Sequence, residues 1–273
     1  MTERSSGVRV GTWNTELAKP GSAKGKRVRP ILAAPDCDIL CVTEGYAKIF
    51  PDGGNPVAGG DDPGYPIVEG QKNVLLWSKE PWENVCRVGP PQMPEGAFLA
   101  GTTKTPIGEL TICGVCIPWF DAHVRTGWRD RKKWEEHKDW LEGFKDLSYA
   151  TGSRTIVLGD FNQRIPRTVF EPHRVHAALL RAFEGLQVAT SGFFPWENQD
   201  DRAAGEPRAD FWHAPLGEGP KTRDQLIDHI AHSPDLAVAE PLEPIGIFPK
   251  RTPDKPLSDH IGVWMELRLA AKA

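Results

Sequence analysis

The stretch "IVLGDFNQRIP", residues 156–166, decides how the rest of the chain is read. Ile156, Val157 and Leu158 form a short apolar run of the kind that makes a fully buried strand. Gly159 lets the backbone turn or approach a neighbour closely. In extended chain Asp160 and Asn162 point the same way, so a carboxylate and an amide share one face just past the buried segment. Asp, Asn and Gly are also ordinary turn residues, and alone the stretch is best explained as a turn. Its meaning depends on whether other strands end in the same manner.

They do. "VRVGTWN" (8–14) alternates so that Val8, Val10, Thr12 and Asn14 share a face, and "CDILCVTEGY" (37–46) is a second apolar strand ending at Glu44. "NVLLWS" (73–78), "LTICGVCIPW" (110–119), "LIDHIAHS" (226–233) and "HIGVWMELRL" (260–269) read as further strands. Asn14, Glu44, Asp160 with Asn162, Asp228, and Asp259 with His260 therefore all stand at or beside strand ends. Carboxylates gathered at one edge of a sheet would repel each other unless a cation joined them. Carboxylate and amide oxygens suit a hard ion such as Mg²⁺ or Mn²⁺, which leaves room for water and a substrate phosphate. That set of groups points to phosphoryl chemistry, with one carboxylate taking the proton of an attacking water and an Asp-held His meeting a phosphate oxygen.

Helical periodicity complements the strands. Val28, Ile31 and Leu32 suggest a helix within 22–34, which Pro30 is expected to keep short or late-starting. Trp134, His137, Trp140, Leu141, Phe144 and Leu147 mark a helix over 128–147, and Val175, Leu179, Ala182, Phe183 and Leu186 mark another. Strands and helices mix along the whole chain without strict alternation, which predicts an α+β layered sandwich.

Bulk properties narrow the function. The 273 residues are 39 % hydrophobic and 26 % charged, an ordinary globular balance, and no linker or repeat divides them, so one domain spanning 1–273 is expected. The N-terminus lacks a secretory signal, and no apolar run approaches the roughly 20 residues that span a bilayer, so a cytoplasmic protein without membrane contact is expected. Five cysteines, an odd number, fit reduced thiols. A zinc site from Cys37, Cys41, Cys113 and Cys116 is disfavoured, because Cys113 and Cys116 lie three apart on one strand and face opposite ways. The net charge of −4 argues against holding nucleic acid by bulk charge, although Lys24, Lys26, Arg27 and Arg29, and then Arg125, Arg129, Arg131, Lys132 and Lys133, form local basic clusters.

"GTWN", "CVTEGY", "VLGDFN", "LIDHI" and "LSDH", in this order and spacing, resemble the endonuclease/exonuclease/phosphatase superfamily from about residue 8 to 269. The resemblance implies the deoxyribonuclease I-like fold: a four-layer αββα sandwich, two mixed β-sheets packed face to face between helical layers. It implies a Mg²⁺ or Mn²⁺ cofactor held by Glu44, with Asn14 and Asp259. It implies Asp160 as the residue that orients or deprotonates the water, Asn162 as stabiliser of the phosphorane, and His260 as the phosphate contact paired with Asp228. One departure stands out. Many members carry a His or Tyr after the middle strand, where this chain has Cys116, so either Cys116 serves a reduced role or His123 in the following loop reaches in. Thr43 replaces the Gln common before the metal-binding Glu.

The superfamily includes nucleases, deadenylases, sphingomyelinases and inositol-phosphate phosphatases, and fold does not choose among them. The Pro-x-Trp-Cys-Asp-Arg signature of the inositol phosphatases is absent from "DFWHAPLGEGPKTRDQLIDHI" (210–230). Trp119, Phe120 and Trp128 interleave with Arg125, Arg129 and Arg131, a composition suited to stacking bases and contacting phosphates. A nuclease acting on DNA or RNA, with Trp119, Arg125 and Arg129 as substrate contacts, is the leading expectation. A phosphatase or phosphodiesterase on a small-molecule or lipid-derived ester is the alternative, and a non-catalytic binding module is the third.

Overall fold

The computed structural model describes residues 7–61, 64–147, 152–168, 171–192, 226–239 and 245–271. The 210–225 part of the stretch compared above with the inositol phosphatase signature lies outside them. In chain order the strands are β1 (Val8–Asn14), β2 (Ile39–Tyr46), β3 (Asn55–Ala58), β4 (Gln71–Ser78), β5 (Trp82–Cys86), β6 (Phe98–Thr105), β7 (Gly108–Cys116), β8 (Thr155–Asp160), β9 (Gln187–Val188), β10 (Asp228–His232), β11 (Leu236–Val238), β12 (Ile245–Phe248) and β13 (Gly262–Leu269). The helices are α1 (Ala23–Ala33), α2 (Glu135–Lys145) and α3 (His173–Ala182).

The strands form two mixed sheets. One has seven strands in the order β11-β13-β1-β2-β4-β3, with β12 also on β13; the other has six in the order β5-β6-β7-β8-β10-β9. The pairs β1–β2 and β7–β8 are parallel, and the remaining pairs are antiparallel.

Three apolar clusters account for the layering. Alternate residues of each strand face opposite ways. Val8 and Val10, Ile39 and Cys41, Ile112 and Cys116, Ile156 and Leu158, Ile230, and Val263 with Met265 meet between the sheets. The intervening residues Leu40, Val42, Leu75 and Trp77 pack against Val28 and Leu32 of α1 on one outer face. Cys113, Val115, Val157 and Ala231 pack against Trp140 and Phe144 of α2 and Leu179 of α3 on the other. The result is the expected αββα sandwich. Cys113 and Cys116 do fall on opposite faces of β7, and all five cysteines are unpaired. Among the described residues no helix is long and apolar enough to cross a membrane.

Two helices differ from their sequence reading. The first runs through Pro30 from Ala23, because Ser22 caps it by accepting the Gly25 N–H and the helix picks up again with Ala34 N–H donating to the Pro30 carbonyl. The second begins only at Glu135, not at 128. Residues 119–134 instead form a loop closed on itself, with Trp134 N–H bonded to the Phe120 carbonyl at 2.7 Å and Arg131 N–H to the His123 carbonyl at 3.1 Å. Glu136, buried on α2, draws Arg129 (2.6 Å) and Arg131 (2.8 Å) back onto the helix start, and Trp134 takes a left-handed backbone (φ 69°) to make the junction.

Candidate active site

The alternation that buries Ile156 and Leu158 between the sheets puts Asp160 in the same row. Register completes the arrangement: Cys116 pairs with Asp160 on one side and Asp228 pairs with Asp160 on the other, so three polar side chains lie abreast at one level of the six-stranded sheet. Asn14, continuing the row of Val8 and Val10, faces them from the other sheet, and its Nδ2 donates to Asp160 Oδ2 across the gap at 3.1 Å. Gly159 allows β8 to sit this close to β7, since its φ is +150° and a Cβ there would stand 1.9 Å from the Val115 carbonyl oxygen.

Glu44 reaches the cluster by a different device. Strict alternation would put it beside Leu40 and Val42, facing α1. Its backbone is left-handed (φ 46°), which breaks the alternation and brings a carboxylate oxygen within 4.8 Å of Cys116 and Asp160. A bulky L-residue in that conformation is strained, and such strain concentrates at functional sites.

Asp160 is held by three donors: Asn14 Nδ2, the Asn162 backbone N–H at 2.8 Å and Asn162 Nδ2 at 2.9 Å. Asn162 is left-handed as well (φ 49°), and its amide also donates to the Ile117 carbonyl at 2.9 Å. Both amide protons are thus engaged within the protein. His260 donates Nδ1–H to Asp228 at 3.1 Å and places Nε2 4.0 Å from Asp160 and 3.9 Å from the exposed Asp259. The other oxygen of Asp228 accepts the Asn14 backbone N–H at 3.1 Å.

The electrostatics follow from this packing. Burial pushes Asp160 up to about 7, His260 pulls it down, and the neighbouring Asp228 and Glu44 carboxylates add to the rise. Glu44 is raised mainly by burial, against the Asn14 hydrogen bond and His260. Burial opposes the charge on His260, but Asp228 and Asp160 overcome it and carry the imidazole up to about 10. Cys116 stays a neutral thiol, raised well above the usual range by burial and by Asp160.

The structure therefore brings together Asn14, Glu44, Cys116, Asp160, Asn162, Asp228 and His260, with Asp259 at the exposed rim. His123 packs against Tyr65. It is buried and left-handed (φ 59°), and the two rings stack with centroids 4.4 Å apart. Trp119 and Arg125 are exposed on the 119–134 loop, and Arg129 is paired with Glu136.

Several supporting residues were not singled out from the sequence. Ser258, in the "LSDH" segment, donates to the Asn14 carbonyl at 2.7 Å and accepts the His260 N–H at 3.0 Å. Trp13 Nε1 donates to the His260 carbonyl at 3.1 Å. Behind Asn162 runs a buried polar chain. His229 Nε2 donates to the Gln163 carbonyl at 3.1 Å while Nδ1 accepts from Thr190 at 2.8 Å. His137 Nδ1 donates to the Pro118 carbonyl at 2.7 Å, and its other ring nitrogen faces the Gln163 side chain at 3.1 Å. Burial lowers both histidines to about 4 and keeps them neutral.

Comparison with known proteins agrees with this fold. The family model described as "Endonuclease/Exonuclease/phosphatase family" matches residues 11–260. An endonuclease/exonuclease/phosphatase from Beutenbergia cavernae is similar in structure, with TM-score 0.64, 19 % identity, and coverage of 97 % of this chain and 72 % of that one. So are an AP endonuclease from Archaeoglobus fulgidus (TM-score 0.63, 18 % identity, coverage 97 % and 100 %) and a 3′ phosphatase from Neisseria bound to a product DNA hairpin (0.60, 19 %, 97 % and 100 %). No curated protein matches in sequence. A family model spanning most of the chain, on a sandwich whose inward-facing strand ends converge in this way, means that the protein belongs to the endonuclease/exonuclease/phosphatase family.

Proposed function

We propose that this family member is a Mg²⁺- or Mn²⁺-dependent nuclease that cleaves a phosphodiester bond by attack of an activated water. The observation that carries the reading is the Asp160 carboxylate, fixed by three amide hydrogen bonds between Glu44 and the Asp228–His260 pair.

The residues present fit a divalent cation. Glu44, Asp160 and Asp228 crowd three carboxylates against one imidazole, and burial resists the ionisation of Glu44 and Asp160. The donors are hard oxygens and the one thiol is neutral, which suits Mg²⁺ or Mn²⁺ over a soft metal. Glu44, with Asn14 and Asp259, would hold the ion. When bound, it supplies charge neutralisation at the phosphate and a lowered pKa for water.

The chain's own groups do the rest. Asp160 takes the proton of the water whose oxygen attacks phosphorus. The bond from phosphorus to the leaving oxygen breaks, and that oxygen is protonated from solvent. His260, kept cationic by Asp228, offers Nε2–H to a non-bridging phosphate oxygen. Asn162 holds Asp160 in line, and its amide turns an N–H to hydrogen-bond the phosphate only when substrate draws it from its partners within the protein. Ser258 and Trp13 fix the His260 backbone. Free thiols, four of five buried, suit a reducing compartment, so we place the enzyme in the cytoplasm.

The net charge of −4 favours a second reading, a phosphatase or phosphodiesterase acting on a small ester. A substrate panel separates the two: single- and double-stranded DNA, RNA, p-nitrophenyl phosphate and bis-p-nitrophenyl phosphate, each with Mg²⁺, Mn²⁺ or EDTA. Metal-dependent cleavage of a polynucleotide faster than of either small ester is expected. Turnover of the small esters with intact nucleic acids would overturn the nuclease reading.

A further inference from the structure

We propose that Trp119 is a pre-oriented platform on which an unpaired nucleobase beside the scissile phosphate stacks, with Tyr65 as the residue that aims it. This inference rests on the nuclease reading and names the form of substrate the site selects.

Position comes first. The Ile117 carbonyl accepts the Asn162 amide at 2.9 Å, so Trp119, two residues further on, has its Cα within about 7 Å of the Ile117 Cα. Trp119 is 44 % exposed, and its neighbour Phe120 is 40 % exposed, the two rings meeting edge-to-face at 5.3 Å. Trp128, in the same loop, is 62 % exposed. Single exposed aromatics are commonplace, but three within ten residues at the edge of a phosphate-binding cluster are a surface with a use. Lys133 lies 5.3 Å over the Phe120 ring and supplies positive charge beside the aromatic faces.

Rigidity is the second point. The Tyr65 hydroxyl accepts the His123 backbone N–H at 2.7 Å, which ties down the loop that carries the half-exposed Trp119. Tyr65 is itself stacked on buried His123, and a Cβ at Gly127 would stand 2.2 Å from that imidazole, so the two loops are locked together. Glu136 holds the far limb through Arg129 and Arg131. A stacking face already fixed in place saves the ordering cost of binding. His123 is thus the hub of this wall, a role distinct from the reach into the site considered for it from sequence.

The selectivity follows. Bases inside a duplex already stack on each other, whereas an unpaired or terminal base has a free π-face for an indole. A single-stranded or frayed strand is therefore the substrate form that this wall favours.

The test uses an oligodeoxythymidylate of about twelve nucleotides and the same backbone without bases, cleaved by wild type, Trp119→Ala, Trp119→Phe and Tyr65→Phe. Trp119→Ala is expected to lower kcat/KM on the base-bearing strand about tenfold or more, through KM, while the base-free strand changes by less than about twofold. Trp119→Phe should recover most of the loss, and Tyr65→Phe should raise KM on the base-bearing strand only. Equal losses on both strands, or none on either, would overturn the platform while leaving the nuclease reading intact. A wild type that cleaves duplex DNA or RNA but neither of these strands would also overturn the platform, and one that cleaves no polynucleotide at all would refute the nuclease reading and the platform with it.

Discussion

Replacing Glu44 by Asn should make the protein more stable and the site inactive, and the sign of the stability change should reverse with metal. The reasoning starts from the left-handed backbone of Glu44 (φ 46°) and from its carboxylate, which is raised by burial and lies within 4.8 Å of Asp160. A left-handed L-residue costs about 1–2 kcal/mol, and Asn adopts that conformation more readily than Glu, so Glu44→Asn should recover about 1 kcal/mol. Removing one of the crowded carboxylates acts in the same direction. In EDTA the variant should therefore melt about 2–4 °C above wild type. Metal at a hundred times its dissociation constant should stabilise wild type by about 2.7 kcal/mol and the variant far less, which puts wild type on top. Thermal and urea unfolding, each in EDTA and in excess Mn²⁺, measure both signs. A variant less stable than wild type in EDTA, or equal stabilisation of the two by Mn²⁺, would refute the argument.

Other consequences are equally open to measurement. Asp228→Asn removes the charge that pairs with His260 and leaves one acceptor oxygen where His260 and the Asn14 N–H now have one each, and breaking this buried pair should cost about 3 kcal/mol by urea unfolding in EDTA at neutral pH; a variant as stable as wild type would count against the pairing. Gly159→Ala forces a Cβ against the Val115 carbonyl oxygen, and a loss of about 3 kcal/mol is expected, with an unchanged midpoint contradicting the close approach of β7 and β8. His137 is lowered to about 4 by burial from an unfolded value near 6.5, so the unfolded state binds the extra proton. Its contribution is complete above about pH 6.5 and is lost as pH falls from there towards 4. His137→Asn should accordingly reduce the slope of unfolding free energy against pH near pH 5 by about 1.4 kcal/mol per pH unit, and an identical slope would show that the histidine is charged in the fold.

Much of this site was legible because inward alternation and the polar residues obey the same geometry. Asn14, Asp160 and Asp228 extend rows of buried aliphatic side chains, so reading strands was enough to place them on one face. Glu44 was found as a strand-end acid, but the left-handed turn that brings it inward leaves no mark in a non-glycine residue. The helix expected over 128–147 was too long because Trp134 continues the apolar stripe, while the pull of buried Glu136 on Arg129 and Arg131 is a tertiary effect that periodicity does not register. Strands β3, β5, β6, β9, β11 and β12 were not singled out; β9 and β11 are only two and three residues long, and "FLAGTTKT" of β6 has weak alternation. His123 was read as a residue that reaches towards the site, and its packing against Tyr65 depends on a loop nearly sixty positions away. The chain Thr190–His229–Gln163–His137 was invisible for the same reason, since its members come from four separate segments.

The central claim is that Asp160 activates the water that cleaves the phosphodiester. The most direct test is the single-turnover cleavage rate of Asp160→Asn against wild type, on the best polynucleotide substrate in saturating Mn²⁺, with the melting temperature of both recorded. The account predicts a fall of about a thousandfold or more with a melting temperature within a few degrees of wild type. A rate within about tenfold of wild type would contradict it, because a general base cannot be removed so cheaply.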